Sequence, residues 1–448
     1  MTAPDRYDLL VRGGTLVTDA GRRRADVGVA GGTIAAIGQF DGEAPDVVDA
    51  QGLLVLPGLI DGHVHFRQPG LEAKEDWLTG SRAAVMGGVT TVLDMPNTLP
   101  PTVAAAAARA KAELASATAY CDFGLIGLLG AENLDALPEL IGSGLVRGLK
   151  VFLGPTTGRL SAPADADLRR GLSVASEAGL RVCFHAEERG LIERAEADLR
   201  AAGRSDARAH LDSRPVAAEV AAIERVGRLL AETGAAGHVL HLSSADGLAR
   251  VERWRAQGVD LTCEVTPHHL LLGLDEYARL GGLVKCNPPV RGEPHSGALL
   301  EALADGRIDV VASDHAPHRP DEKSSDDIWR VAAGVAGVET TLRLMLTEVA
   351  GGRLTLERLV AAMSATPARL WRLAGKGRLE PGADADLTLI DAQRTGVIRG
   401  AELHGRHGLT PFEGRRTVGM PVATIVRGRL MMRERRLAGA SGWGRIVG

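Results

Sequence analysis

Eight short apolar runs, separated by helix-like segments through the middle of the chain, constrain this sequence more than any other feature. They are GLIDGHVH (58–65), VTTVLDM (89–95), DFGLIGL (122–128), GLKVFL (148–153), LRVCFH (180–185), HVLHLS (238–243), DLTCEV (260–265) and DVVASDH (309–315). Segments rich in good helix formers lie between most of them, such as TVAAAAARAKAELASA after the second run and ADADLRRGLSVASEA after the fourth. Strands alternating with helices indicate repeated βα units around a parallel sheet. Eight such units predict an α/β fold with a closed (β/α)₈ TIM-type barrel.

Two connections, Glu187 to Gly237 and Thr266 to Ile308, are longer than one helix needs and are expected to carry functional excursions. The ends of the chain have a different texture. From Tyr7 to about Leu56, and again in GADADLTLIDA and PVATIVRGRLMM, short β-rich pieces alternate with glycine turns, as small antiparallel strands do. The expected organisation is therefore a small β-sandwich domain built from residues 1–56 and 376–448, beside a barrel of residues 57–375. A chain of 448 residues has room for both, because single cores stop growing at about 250–300 residues.

Charge narrows the range of partners. With 52 basic and 56 acidic residues the formal net charge is -4, which leaves no electrostatic footprint for nucleic acid or an anionic membrane and points to a small molecule. No apolar run reaches the ~20 residues of a membrane span, and MTAPDRYDLLVRGG lacks the pattern of a secretory leader. Cys121, Cys183, Cys263 and Cys286 are far apart with no C-x-x-C pair, so they read as reduced core residues of a cytoplasmic protein.

Barrel enzymes build their sites at the carboxyl ends of the strands, and metal-competent residues fall there in this chain. His63 and His65 end the first run, on one face of a strand because side chains alternate, and Arg67 continues that face. Asn97 follows the second run, Lys150 lies in the fourth, His185 ends the fifth, His241 falls in the sixth and Asp314 closes the eighth. Singly, each has a structural reading: a histidine hydrogen-bonded in a core, a lysine reaching outward, an asparagine capping a turn. Together, four imidazoles, an amine and a carboxylate at one end of the barrel are a metal centre's ligand set. They suit zinc or a similar divalent ion, and six groups exceed what one tetrahedral ion uses, so two ions are expected.

The segments GLIDGHVHFRQPG, DMPNTLPPT, GLKVFLG, FHAE, LHLSS, KCNPPVR and ASDHAPHRPDEK resemble those of the cyclic amidohydrolases, and most closely those of dihydroorotases, including the signature Asp-x-Ala-Pro-His followed by a lysine. The resemblance spans nearly the whole chain. It implies that His63, His65 and Asp314 hold one metal ion and His185 and His241 another, with Lys150, carbamylated by CO₂ and so anionic, bridging them. It also implies that Asp314 is the general base, taking a proton from a metal-bridging hydroxide and passing it to the leaving nitrogen. A metal lowers the pKa of bound water to about 7 and polarises a carbonyl, and a positioned carboxylate adds ~10²- to 10⁴-fold.

In dihydroorotases the substrate carboxylate is held by an arginine, an asparagine and a histidine, which correspond here to Arg67, Asn97 and His318, with Asn287 lining the ring pocket. An arginine fork matches a carboxylate bidentately. Alone, Arg67 could instead pair with Glu72 or Glu75. The expected activity is the reversible hydrolysis of dihydroorotate to N-carbamoyl-aspartate in pyrimidine biosynthesis, by a homo-oligomer of the kind common in the family. Allantoinase and hydantoinase are the alternatives, because AELHGRHGLTPFEG and the Lys150 strand are similar in type to theirs. An inactive structural partner of aspartate transcarbamoylase fits poorly, since every ligand position is filled.

Overall fold

The computed structural model describes residues 6–39, 41–156 and 162–448. Every one of the eight apolar runs contains a strand, and the strands pair in parallel and in chain order: Leu59–Val64, Val89–Asp94, Asp122–Leu128, Val146–Phe152, Val182–His185, Gly237–Val239, Leu261–Val265 and Val310–Val311. The predicted helices form over Ala105–Thr118 and Asp165–Glu177. Both long connections hold several helices: Arg189–Ala201, Ala207–Ser213 and Val216–Thr233 in the first, and Pro267–Leu271, Asp275–Leu280 and His295–Ala304 in the second.

The sheet closes through a short seam. The eighth strand ends at Val311, and four residues later the chain returns to the first strand, where His315 bridges Val64 in parallel. The backbone N–H of His65 donates to His315 O at 2.8 Å, and that of His315 donates to His63 O at 3.3 Å. Asp61 braces the seam, its Oδ1 accepting from His63 N at 3.2 Å and Ser313 N at 3.1 Å. This seam fixes Asp314 beside the two histidines of the first strand.

Below the site the barrel is filled by side chains. Ile60, Leu93, Ile126, Cys183 and Leu240 pack with Trp371, which enters from the stretch after the last barrel helix. Gly148 makes room for it: a Cβ there would lie 2.9 Å from the Trp371 ring and from the Arg181 carbonyl. All four cysteines are buried and unpaired.

The two chain ends share one sheet. Its seven strands run, in order, Arg436–Leu437, Arg429–Arg433, Arg416–Val426, Leu387–Val397, Leu54–Pro57, Thr15–Thr18 and Gly21–Arg24. A second sheet of four strands, Thr33–Gly38, Asp26–Ala30, Leu9–Arg12 and Asp46–Asp49, packs against it over a core that includes Leu16, Val27, Val29, Val55, Leu387 and Ile425. The strands are not all antiparallel as their texture suggests. Leu9–Arg12 pairs in parallel with Asp46–Asp49, and Thr15–Thr18 in parallel with Leu54–Pro57, because the intervening hairpins carry the chain round before it rejoins each sheet.

Candidate metal centre

Residues from the ends of the first, fifth, sixth and eighth strands meet at the barrel mouth. His63, His65 and Asp314 present ligand atoms that all lie within 4.8 Å of one another, with Asp314 Oδ1 at 3.2 Å from both His63 Nε2 and His65 Nε2. Beside them His185 Nδ1 lies 3.0 Å from His241 Nε2. Two atoms that each bind one ion at ~2.0–2.1 Å are roughly 3.3 Å apart at a tetrahedral angle, so both spacings suit a shared divalent cation.

The far side of two of these rings is hydrogen-bonded by another side chain, and a third ring has a carboxylate beside it. His63 Nδ1 donates to Glu264 Oε1 at 2.6 Å, and His65 Nδ1 donates to Asn97 Oδ1 at 2.8 Å. Glu187 Oε2 lies 3.1 Å from His185 Nε2. A donor proton fixed on the outer nitrogen leaves the inner one with its lone pair, the tautomer a metal ligand needs. His63 Nε2 is buried without a hydrogen-bond partner, and so is His241 Nδ1. The residues therefore fit a metal pair. Burial pushes His65 down to about 3 and His241 well below the usual histidine range.

Asp314 is also buried, which raises a carboxyl, but the surrounding His63, His65 and His241 outweigh this and hold it well below the usual carboxylate range. Lys150 is 1% exposed, its amine pushed down to about 8 by burial, and among the described residues it has no ion-pair partner. The amine stands 4.8 Å from the centre of the Phe152 ring.

Backbone geometry contributes as well. Arg67, His241 and Asp314 all have left-handed backbones, with φ of 65°, 36° and 44°. A non-glycine residue is disfavoured there, and such strain concentrates at functional sites. It also explains two departures from expectation: the sixth strand ends at Val239 rather than running through His241, and the eighth ends three residues before Asp314.

The cavity over this centre is lined by Arg67, Asn97, Lys150, Phe152, Asn287, Ala316, Ala333 and Gly334, as well as the metal-competent residues. Arg67 is 2% exposed, and among the described residues it pairs with neither Glu72 nor Glu75 nor any other carboxylate. Its Nε donates to Pro317 O at 3.3 Å, and burial lowers its pKa to about 10. Asn287 Oδ1 is buried without a partner.

His318 sits one layer back and does not line this cavity. Its Nδ1 accepts from Lys74 Nζ at 3.2 Å, which places the proton on Nε2, and Nε2 donates to Ala333 O at 3.0 Å. A protonated Nε2 cannot also accept from Arg67 Nη2, 3.4 Å away, so His318 gives that nitrogen no acceptor. The structure thus gives Asn97 a bond to His65, and His318 a place behind Arg67.

Glu264 and Glu187 were not apparent from the sequence. Glu264 also accepts from His238 Nε2 at 3.1 Å, and Arg214 pairs with Glu187. The one signal available was a carboxylate inside an otherwise apolar run, in DLTCEV, and another two residues beyond His185.

Comparison with known proteins places the chain. The Amidohydrolase family matches residues 54–431. An allantoinase from Rubrobacter xylanophilus is 41% identical over 427 residues, 94% of each chain, and a dihydroorotase from Halobacterium salinarum is 44% identical over 409 residues, 91% of this chain and 93% of that one. Among solved structures, the L-hydantoinase (dihydropyrimidinase) of Arthrobacter aurescens superposes with a TM-score of 0.96 at 34% identity, covering 98% of this chain and 99% of that one. With a family match over most of its length and the metal-competent residues at the mouth of its barrel, the chain is an enzyme belonging to the amidohydrolase family.

Proposed function

We propose that this enzyme opens a cyclic amide ring by hydrolysis at a pair of divalent ions, and that its substrate carries a carboxylate, as dihydroorotate does. The observation that carries the substrate is Arg67, a buried guanidinium at the cavity wall with no carboxylate partner among the described residues and a terminal nitrogen that His318 does not satisfy. A buried charge without a counterion is costly, and an anionic group on the substrate would offset that cost.

In this reading His63, His65 and Asp314 would hold one ion and His185 and His241 the other, and Lys150, once carbamylated, would supply the remaining anionic ligand. When bound, the ions supply a hydroxide at neutral pH and polarise the scissile carbonyl. Asp314, ionised and fixed by the barrel seam, accepts the proton of the attacking water and returns it to the leaving ring nitrogen. Arg67 fixes the substrate carboxylate and so orients the ring, while Asn287 Oδ1 is placed to accept a ring N–H. Asn97, Glu264 and Glu187 keep the histidines in the required tautomers.

Allantoin or a hydantoin is the second reading, and the similarities back it better than the first: an allantoinase stands at 41% identity over 94% of the chain, another from Deinococcus radiodurans at 38%, and the L-hydantoinase fold superposes almost completely. Steady-state turnover of dihydroorotate, allantoin and hydantoin by one preparation decides between them. Turnover of dihydroorotate is expected; turnover of allantoin with none of dihydroorotate would refute the carboxylate assignment and leave the hydrolytic chemistry standing. Elemental analysis of that preparation is expected to give two divalent ions per chain, with zinc as the first candidate. The same reading carries a composite β domain of residues 1–56 and 376–448 and a cytoplasmic homo-oligomer.

A further inference from the structure

The lysine that closes the ASDHAPHRPDEK motif has no part in the chemistry above, yet it is among the most completely bonded side chains near the site. Lys323 ends the short helix Pro320–Lys323 and is 6% exposed. Its ammonium donates to three carbonyls, Lys285 O at 3.1 Å, Ala332 O at 2.9 Å and Gly334 O at 2.9 Å. An ammonium has three N–H donors, so each has its acceptor. Among the described residues no carboxylate pairs with it. A buried cation neutralised only by carbonyl dipoles is an expensive way to join two loops.

Those loops are walls of the catalytic cavity. Ala333 and Gly334 line it directly, and Lys285 stands two residues before Asn287, which also lines it. The carbonyl of Ala333, between the two that Lys323 holds, is taken by His318. Lys285 extends the arrangement, its own ammonium donating to Ile328 O at 2.6 Å and Val331 O at 2.7 Å, and Gly334 N donates back to Lys285 O at 2.9 Å. Lys323 itself lies behind the wall, in a small space it shares with His318, His407 and Thr410, and does not line the cavity.

From this geometry we infer that Lys323 is a positioning residue, which sets the width of the substrate pocket by clamping residues 285, 332 and 334 against one another. The inference rests on the hydrolytic reading of the site, but not on which ring is the substrate. It assigns Lys323 a share in holding the substrate and none in metal binding or proton transfer.

The test uses full-length, metal-loaded Lys323→Met on whichever of the three rings the parent protein turns over. The expected result is a KM raised tenfold or more, kcat within threefold, unchanged metal content, and faster amide hydrogen exchange in residues 328–336. Lys323→Arg, which keeps charge and donors, is expected to recover part of the KM and to serve alone if the methionine variant does not fold, with KM between the parent value and a tenfold rise. An unchanged KM, or a raised KM without faster exchange in 328–336, would overturn the clamp. A parent protein inactive on all three rings would instead defeat the functional reading, and slow, parent-like exchange in Lys323→Met would then overturn the clamp independently.

Discussion

Two clusters of buried charge lie at opposite ends of the barrel, and they differ in how completely they are bonded. At the floor, Lys376 Nζ reaches Asp122 Oδ2 at 2.5 Å, Asp386 Oδ2 at 2.7 Å and Asp384 Oδ2 at 2.9 Å. Arg427 adds a second cation at 2.9 Å from Asp122, and its backbone N–H donates to Asp386 Oδ1 at 2.7 Å. These three carboxylates are close enough together to hold a metal ion, but an ammonium already fills the space. At the mouth, among the described residues, His63 Nε2 and His241 Nδ1 have no hydrogen-bond partner and Arg67 has no carboxylate partner. Burial alone does not mark a functional site. A saturated network binds the fold together, whereas an unsaturated one is shaped around something else.

Substitutions at the two ends should therefore fail in different ways. Asp314→Asn is expected to lower kcat by up to about 10⁴-fold, since it would remove the proposed proton acceptor, while leaving the urea midpoint within experimental scatter of the parent. Lys376→Met removes the cation that three carboxylates share, and should lower unfolding free energy by about 3–5 kcal/mol with kcat per folded molecule unchanged. Either substitution showing the other's signature would erase the distinction between the two ends.

Arg67→Met sharpens the comparison within the mouth. Removing one or two charged hydrogen bonds of about 1.5–3 kcal/mol should cost about 100-fold in kcat/KM for dihydroorotate and only a few-fold for allantoin, which lacks a carboxylate. Equal losses on both rings would make Arg67 a structural residue.

The smallest effect concerns acid. Burial pushes the Glu187 carboxyl up, but Arg214 and His185 outweigh it and hold it at about 2, against an ordinary value of 4.5. A depressed carboxylate contributes its stability fully above its unfolded pKa and loses it as pH falls through the folded one. The gap in urea midpoint between the parent and Glu187→Gln should thus be constant above about pH 4.5 and close between about 4.5 and 2. A gap that persists at pH 2 would mean the Glu187 contacts do not depend on its charge.

The fold was largely legible because parallel strands buried on both faces leave uninterrupted apolar runs, and all eight were visible. All six metal-competent positions announced themselves the same way, as imidazole, amine or carboxylate in or at the ends of such runs, and Asn97 by following one. What the sequence concealed depends on chain segments far apart in it. Glu264 reaches His63 across 201 positions, and Lys323 binds carbonyls, which every residue carries and no residue type reveals. His318 was legible as a residue near Arg67, but Lys74 decides its tautomer and so its place behind Arg67.

The seven-stranded sheet has a bearing on synthesis. Its strand Leu54–Pro57 runs almost directly into the first barrel strand, yet the neighbour it pairs with on one side, Leu387–Val397, leaves the ribosome more than three hundred residues later. The amino-terminal half of that sheet must wait, with one edge unpaired, while the entire barrel is made. A chain halted before residue 387 would therefore expose that edge, so that premature termination yields a product marked for aggregation or removal even when every residue of the catalytic mouth has been made.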